Sequence, residues 1–302
     1  MTRSIDRYRA AEHRLWMSSV GELPAEQFIS MPKLNTRVRL LTHGQGPTLL
    51  FIHGGPNAAS TWLPLIRLLP EFQCVLLERP GCGLSELPGT PASTVRQYAV
   101  QVVADTLAAL NTEPTIVIAS SFGSYCALAF AVAHPSRLSR MVHMGCPALV
   151  PGAHVPLPFL LPMIPILGSL VRKLEPPTLA TSWRSFQRMG HPVSLAERQD
   201  IAELMEWYTS LTRDTATRTN DQALFGRIRS RDVLSPADLA SLQVPMSFFW
   251  GEADTFGDAA VGRTLTESLP NAKLELVANS GHVPWLDAPQ QAAEHVRTFL
   301  AA

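Results

Sequence analysis

The segment Thr115–Pro135, TIVIASSFGSYCALAFAVAHP, constrains the fold more than any other stretch of this 302-residue chain. Thr115–Ala119 is a short apolar, β-branched run and reads as a buried strand, while Phe122–His134 has the length and apolar density of a helix. Only Ser120 and Ser121 separate them, so the chain must turn from strand to helix within two residues. A turn this tight demands small side chains two positions before and two positions after its apex. With Ser121 at the apex those positions are Ala119 and Gly123, and both fit. With Ser120 they would be Ile118 and Phe122, and neither fits. Ser121 is therefore the candidate nucleophile. A serine that merely capped the helix would leave a similar sequence, so the other parts of a catalytic set must be sought.

The rest of the chain repeats the alternation of strand and helix. Gln27–Met31, Arg37–Thr42, Thr48–Ile52, Cys74–Leu77, Leu138–Gly145, Met246–Gly251 and Leu274–Ala278 read as further strands. Thr61–Leu69, Thr94–Leu110 and Gln290–Ala302 read as helices. Such alternation predicts a mainly parallel, eight-stranded sheet covered by helices on both faces, an α/β class. Residues 147–240 interrupt the rhythm: they are proline-rich at first, then helical over Ala196–Arg213. They are expected to form an inserted helical cap, with the core made of 25–146 and 241–302. Residues 1–24 are expected to be a helical N-terminal extension, with Arg3, Arg7, Arg9 and Arg14 on its polar side.

A serine hydroxyl needs a base and the base needs an orienting carboxylate. His282, in Ser280-Gly281-His282-Val283-Pro284, follows the last strand and can reach back over the sheet edge. Asp254 follows the strand that ends at Gly251, with Glu252 and Asp258 as nearby rivals. His53-Gly54-Gly55-Pro56 follows Thr48–Ile52. Backbone N–H groups of Gly55 and Phe122 are candidates to hold an oxyanion, whereas Pro56 has no N–H to offer. The chain order Ser121, Asp254, His282 is that expected of α/β-hydrolases.

With these parts in place the chain resembles the α/β-hydrolase fold family, in its class with a helical cap. The matching segments are HGGPNAASTW (53–62), ERPGCGLSE (78–86), ASSFGSYCALAFAVAHP (119–135), WGEADTF (250–256) and GHVPWLDAP (281–289). The family often has Asp where this chain has Glu78, and usually Glu where it has Asp287. The resemblance implies Ser121 as nucleophile, Asp254 as acid, His282 as base, and Gly55 and Phe122 as oxyanion donors. Epoxide hydrolases and haloalkane dehalogenases carry Asp at the nucleophile position, so Ser121 disfavours their chemistry. The HGGP loop is also similar to that of proline iminopeptidases, which use acidic cap residues. Glu203 and Glu206 are the acidic candidates here, although the polar face of a helix explains them as well.

Formal net charge is zero, so no basic excess points to nucleic acid or an anionic membrane. Cys74, Cys82, Cys126 and Cys146 form no CxxC pair, and no metal or organic cofactor is expected. Free cysteines in core positions suit a reducing, cytoplasmic setting. The N-terminus shows no apolar leader core. Val155–Val171 is too short and too broken by proline for a membrane span. Phe159, Leu160, Leu161, Met163, Ile164, Trp183, Phe186, Met189, Trp207 and Tyr208 of the cap are possible walls of an apolar pocket. The expected function is a carboxylesterase for a small or medium hydrophobic ester. C–C bond, lactone or amide hydrolysis on the same residues is the alternative, and a ligand-binding protein with a hydrolase-like pocket is the rival of another class.

Overall fold

Side chains along the central strands alternate between two cores. Leu50, Ile52, Val75, Leu77, Val117 and Ala119 enter one, and Leu49, Phe51, Cys74, Leu76 and Ile118 the other. This is the two-residue period of a strand, and apolar groups on both faces require helices on both sides. The computed structural model describes residues 2–111, 115–164, 168, 171 and 173–302. Pro165 and most of 165–172, in the apolar stretch noted above, lie outside the described residues.

The strands are β1 (Ala25–Met31), β2 (Thr36–His43), β3 (Thr48–Ile52), β4 (Gln73–Leu77), β5 (Thr115–Ser120), β6 (Leu138–Met144), β7 (Met246–Gly251) and β8 (Ala272–Val277). They form an eight-stranded sheet in the order β1-β2-β4-β3-β5-β6-β7-β8. β1 and β2 are antiparallel to their neighbours, and β3 through β8 run parallel. The chain leaves β3 for β4 on one side and returns for β5 on the other. The carboxyl ends of β3 and β5 therefore flank a topological switch point, where open α/β sheets leave a crevice. Residues 53–55 and Ser121 follow these two strands.

The helices of the sheet are α1 (Thr2–Val20), α2 (Leu63–Ile66), α3 (Val95–Leu110) and α4 (Phe122–Ala133). Between β6 and β7 the described residues hold helices and turns but no strand: α5 (Leu157–Leu160), α6 (Leu179–Arg188), α7 (Gln199–Asp214), α8 (Thr217–Phe225) and α9 (Pro236–Ser241). After β7 come α10 (Ala259–Glu267), α11 (Pro284–Asp287) and α12 (Pro289–Ala301). Two helices are shorter than expected. Ala59–Trp62 is a 3-10 turn, with only Leu63–Ile66 α-helical behind it. α7 starts at Gln199 because Arg198 is extended (φ −81°, ψ 121°), a backbone that sends its guanidinium to the Leu286 carbonyl. No helix among the described residues is long and apolar enough to cross a membrane.

Helix α1 buries Tyr8, Leu15 and Trp16 against the sheet side and α7. Trp16 Nε1 donates to Ser60 Oγ at 2.9 Å, and Ser60 Oγ donates to Glu12 at 2.8 Å. Arg39 of β2 pairs with Glu12 (2.8 Å), Glu26 (2.9 Å) and Glu78 (3.3 Å). Burial pushes the Glu78 carboxyl up to about 7; Arg39 opposes this and Glu12 adds to it. At the far end of α7, Arg7 of α1 and Arg213 pair with Asp214.

Candidate active site

Ser121 sits at φ 52° and ψ −117°, in a region that non-glycine residues rarely adopt. The cause lies two residues on. A Cβ on Gly123 would fall 2.1 Å from the Ile52 carbonyl oxygen and 2.7 Å from that of His53. Helix α4 thus starts so close to the end of β3 that only glycine fits, and the turn at Ser121 absorbs the strain. The small residue expected at 123 has this physical origin.

The loop after β3 abuts the same serine. A Cβ on Gly54 would lie 2.8 Å from Ser121 Cβ and 3.5 Å from Ser121 Oγ. Gly55 is exposed beside it. The N–H of Phe122 belongs to the first turn of α4, whose amides have no partner within a helix. His53 is excluded as a base by its own bonds. Its Nε2 accepts the Arg79 N–H at 3.1 Å, so its Nδ1 bears the proton and donates to Gly54 O at 2.6 Å. Burial, with Arg79 beside it, holds its pKa well below the usual histidine value.

Asp254 and His282 are brought together. His282 Nδ1 lies 2.9 Å from each oxygen of Asp254. The carboxylate is held from behind: Cys146 N–H donates to Oδ2 and Phe256 N–H to Oδ1, both at 2.9 Å. The Phe256 ring stacks on the imidazole at 4.1 Å. No hydrogen bond to Nε2 is present among the described residues. The rival carboxylates stand elsewhere. Asp258 accepts from Ala260 N and Val261 N as the N-cap of α10, and Glu252 is exposed.

Two groups not foreseen from the sequence lie over the Gly54–Gly55 loop. Arg79 donates to Asp221 of α8 (2.7 and 3.2 Å), to Gly54 O (2.9 Å) and to His53 O (3.2 Å). Both ionic side chains are fully buried. A Cβ on Gly55 would meet Asp221 Oδ2 at 2.6 Å and the Phe225 ring at 2.4 Å. Arg79 stands next to Glu78 in ERPGCGLSE, but nothing local signals a partner 142 residues away.

The other cap candidates divide. Trp207 and Phe186 are buried, packed on Tyr8 and on Tyr208 respectively. Phe159 packs on Phe256, the ring that covers His282. Leu160 and Ile164 are exposed. Glu203 accepts the Ser18 hydroxyl of α1, and Glu206 lines an outer cleft with Arg7 and Arg14, so both face the N-terminal helix.

Comparison with known proteins identifies the family. A family model described as the alpha/beta hydrolase fold matches residues 47–289. A pimeloyl-[acyl-carrier protein] methyl ester esterase from Aeromonas hydrophila is 26% identical over 262 residues, covering 85% of this chain and 96% of that protein. A 2-hydroxy-6-oxononadienedioate/2-hydroxy-6-oxononatrienedioate hydrolase from Paraburkholderia phymatum is 26% identical over 272 residues, covering 86% and 90%. In three dimensions the chain is similar to a carboxylesterase from Bacillus subtilis, with a TM-score of 0.75 at 16% identity over 99% of this chain and 98% of that one. The chain belongs to the α/β hydrolase fold family.

Proposed function

We propose that the protein is a serine hydrolase that cleaves a small or medium hydrophobic carboxylic ester. The observation that carries this reading is the bond from His282 Nδ1 to both oxygens of Asp254, on the sheet edge where Ser121 occupies a strained strand-to-helix turn. His282 Nε2 takes the proton of Ser121 Oγ as the oxygen attacks the ester carbonyl. Asp254 accepts from Nδ1–H and stabilises the imidazolium. The N–H groups of Gly55 and Phe122 receive the oxyanion. His282 then protonates the leaving alcohol, and water resolves the acyl-enzyme by the same route. These steps use no metal or organic cofactor.

Residues 147–240 act as a lid over the site, and 1–24 as an extension that braces it. The four buried, free cysteines suit a reducing cytoplasm. A second reading, hydrolysis of a C–C bond, draws on the relative from Paraburkholderia phymatum. A doubly anionic substrate would need free cations, and Arg79 beside the oxyanion loop is already neutralised by Asp221. The ester is therefore preferred.

Labelling with a fluorophosphonate and assays on short and medium p-nitrophenyl esters test the proposal. Ser121→Ala is expected to abolish labelling and to lower kcat by at least about 10⁴-fold. Unchanged turnover in that variant would remove Ser121 from the mechanism. Cleavage of a vinylogous 1,5-diketone with no ester turnover would select the second reading.

A further inference from the structure

The segment 188–191, where α6 ends, lies against the two loops that carry Asp254 and His282. Glycines make this approach possible. Gly190 has φ 91°, and a Cβ there would fall 1.8 Å from the Ala253 carbonyl oxygen. A Cβ on Gly281 would lie 2.7 Å from Met189 O and from His191 N, and one on Gly251 would lie 2.2 Å from Gly281 O. The end of β7, the His282 loop and the inserted segment are stacked backbone on backbone. His282 N–H donates to Met189 O at 3.0 Å, and the Thr255 hydroxyl donates to Arg188 O at 2.9 Å.

His191 closes this stack with its side chain. Its Nε2 lies 3.3 Å from Val283 N. A backbone amide only donates, so Nε2 is unprotonated and the ring is the neutral Nδ1–H form. Nδ1 then donates to Asp287 Oδ2 at 2.8 Å. The same oxygen accepts from Ser280 Oγ at 2.8 Å and from Gly281 N–H at 2.9 Å. Residues 280, 281 and 283 are thus tied to one buried pair, His191–Asp287, and residue 282 to the carbonyl beside it. None of these bonds is made to Ser121 or Asp254. They act on the loop that aims the imidazole.

We propose that His191 is a positioning residue. Supplied by the insertion in its neutral form, it holds the 280–283 loop so that His282 Nδ1 stays on both oxygens of Asp254. This rests on the hydrolase reading above, in which His282 is the base.

Three variants separate positioning from simple packing. Asn at 191 sets an amide N–H close to the place of Nδ1 and keeps the donor to Asp287. Gln sets a carbonyl close to the place of Nε2 and keeps the acceptor for Val283. Ala removes both. Each variant is assayed on p-nitrophenyl butyrate per fluorophosphonate-titrated site, with its thermal midpoint and the low-field proton signal of the His282–Asp254 bond. His191→Ala is expected to lower kcat by about 10- to 100-fold with KM changed less than about threefold, and to lose the low-field signal. His191→Asn is expected to recover the signal and most of kcat, because Asp287 keeps its third donor; His191→Gln recovers less. The proposal is overturned if His191→Ala keeps both the signal and a kcat near the parent's. It is equally overturned if activity per folded molecule is the same in all three variants. A parent that neither labels nor turns over esters defeats the hydrolase reading instead, and the low-field signal still decides whether His191 holds the His282–Asp254 bond.

Discussion

The insertion meets the edge of the sheet twice, and the two contacts are built from different materials. On the side of His282 the contact is mainly backbone on backbone, at Gly190, Gly281 and Gly251, closed by one side-chain pair, His191–Asp287. On the side of the Gly54–Gly55 loop it is made by side chains of α8. Asp221 pairs with buried Arg79, Asn220 donates to Pro80 O at 3.0 Å, Thr217 accepts the Gly83 N–H at 2.8 Å, and Phe225 packs edge-on to Phe122. A backbone stack has no freedom to repack, because each carbonyl is fixed by the strand or loop behind it. A side-chain contact can be remade with other groups of similar volume, since a buried ion pair returns little beyond the cost of its own desolvation. The glycines stacked against the His282 loop should therefore resist every substitution, and the α8 contact only unbalanced ones.

The largest effect is expected from unbalancing the second contact. Asp221→Ala leaves Arg79 buried without a counter-charge and should cost about 3–5 kcal/mol of unfolding free energy. Arg79→Met combined with Asp221→Leu should regain most of it, as read from urea midpoints. A double variant no more stable than Asp221→Ala would break the contrast. Next comes Gly190→Ala. It forces a side chain into φ 91° with its Cβ 1.8 Å from a carbonyl, at a cost of roughly 2–4 kcal/mol. Here no partner substitution can compensate, since the clashing atom is Ala253 O. A second-site side-chain change that restored the parent's stability would show that the stack is softer than described.

The same contrast explains what was legible in the sequence. Strands buried on both faces announce themselves as short apolar runs, so TIVIA and FFW placed the sheet and, through it, the loops after β5 and β7. The tight turn at Ser121 left its mark in the small residues at 119 and 123, because the contact it must avoid, Ile52 O, belongs to an element next to it in the sheet. The insertion left no such mark. Its contacts reach across the chain, Asp221 to Arg79 and His191 to Asp287, and their helices carry no period that says which residue faces which loop. Glu203 and Glu206 stood out only because they are acidic, and they face α1. The start of α7 was misplaced for a related reason: Arg198 is extended to reach the Leu286 carbonyl, a distant partner that local propensity does not contain.

The smallest expected effect extends the comparison to the N-terminal helix, which is also joined through charges. Arg39 is shared by Glu12, Glu26 and Glu78, and Glu78 precedes Arg79 of the contact with α8. Burial raises the Glu78 carboxyl from 4.5 to about 7. The folded chain therefore binds this proton more tightly than the unfolded one. The stability it contributes is fully present below pH 4.5 and is lost as the pH rises through about 7. The loss should amount to about 1–3 kcal/mol over that window. Thermal midpoints of the parent and of Glu78→Gln, each measured from pH 5 to 8, isolate this contribution from other titrating groups. The parent's midpoint is expected to fall more steeply with rising pH than the variant's. Identical slopes would mean that Glu78 does not carry the proton. A steeper parent slope, with the pH profile of ester turnover the same in the parent and in Glu78→Gln, would show that the charged contacts loosen without disturbing the glycine stack against the His282 loop.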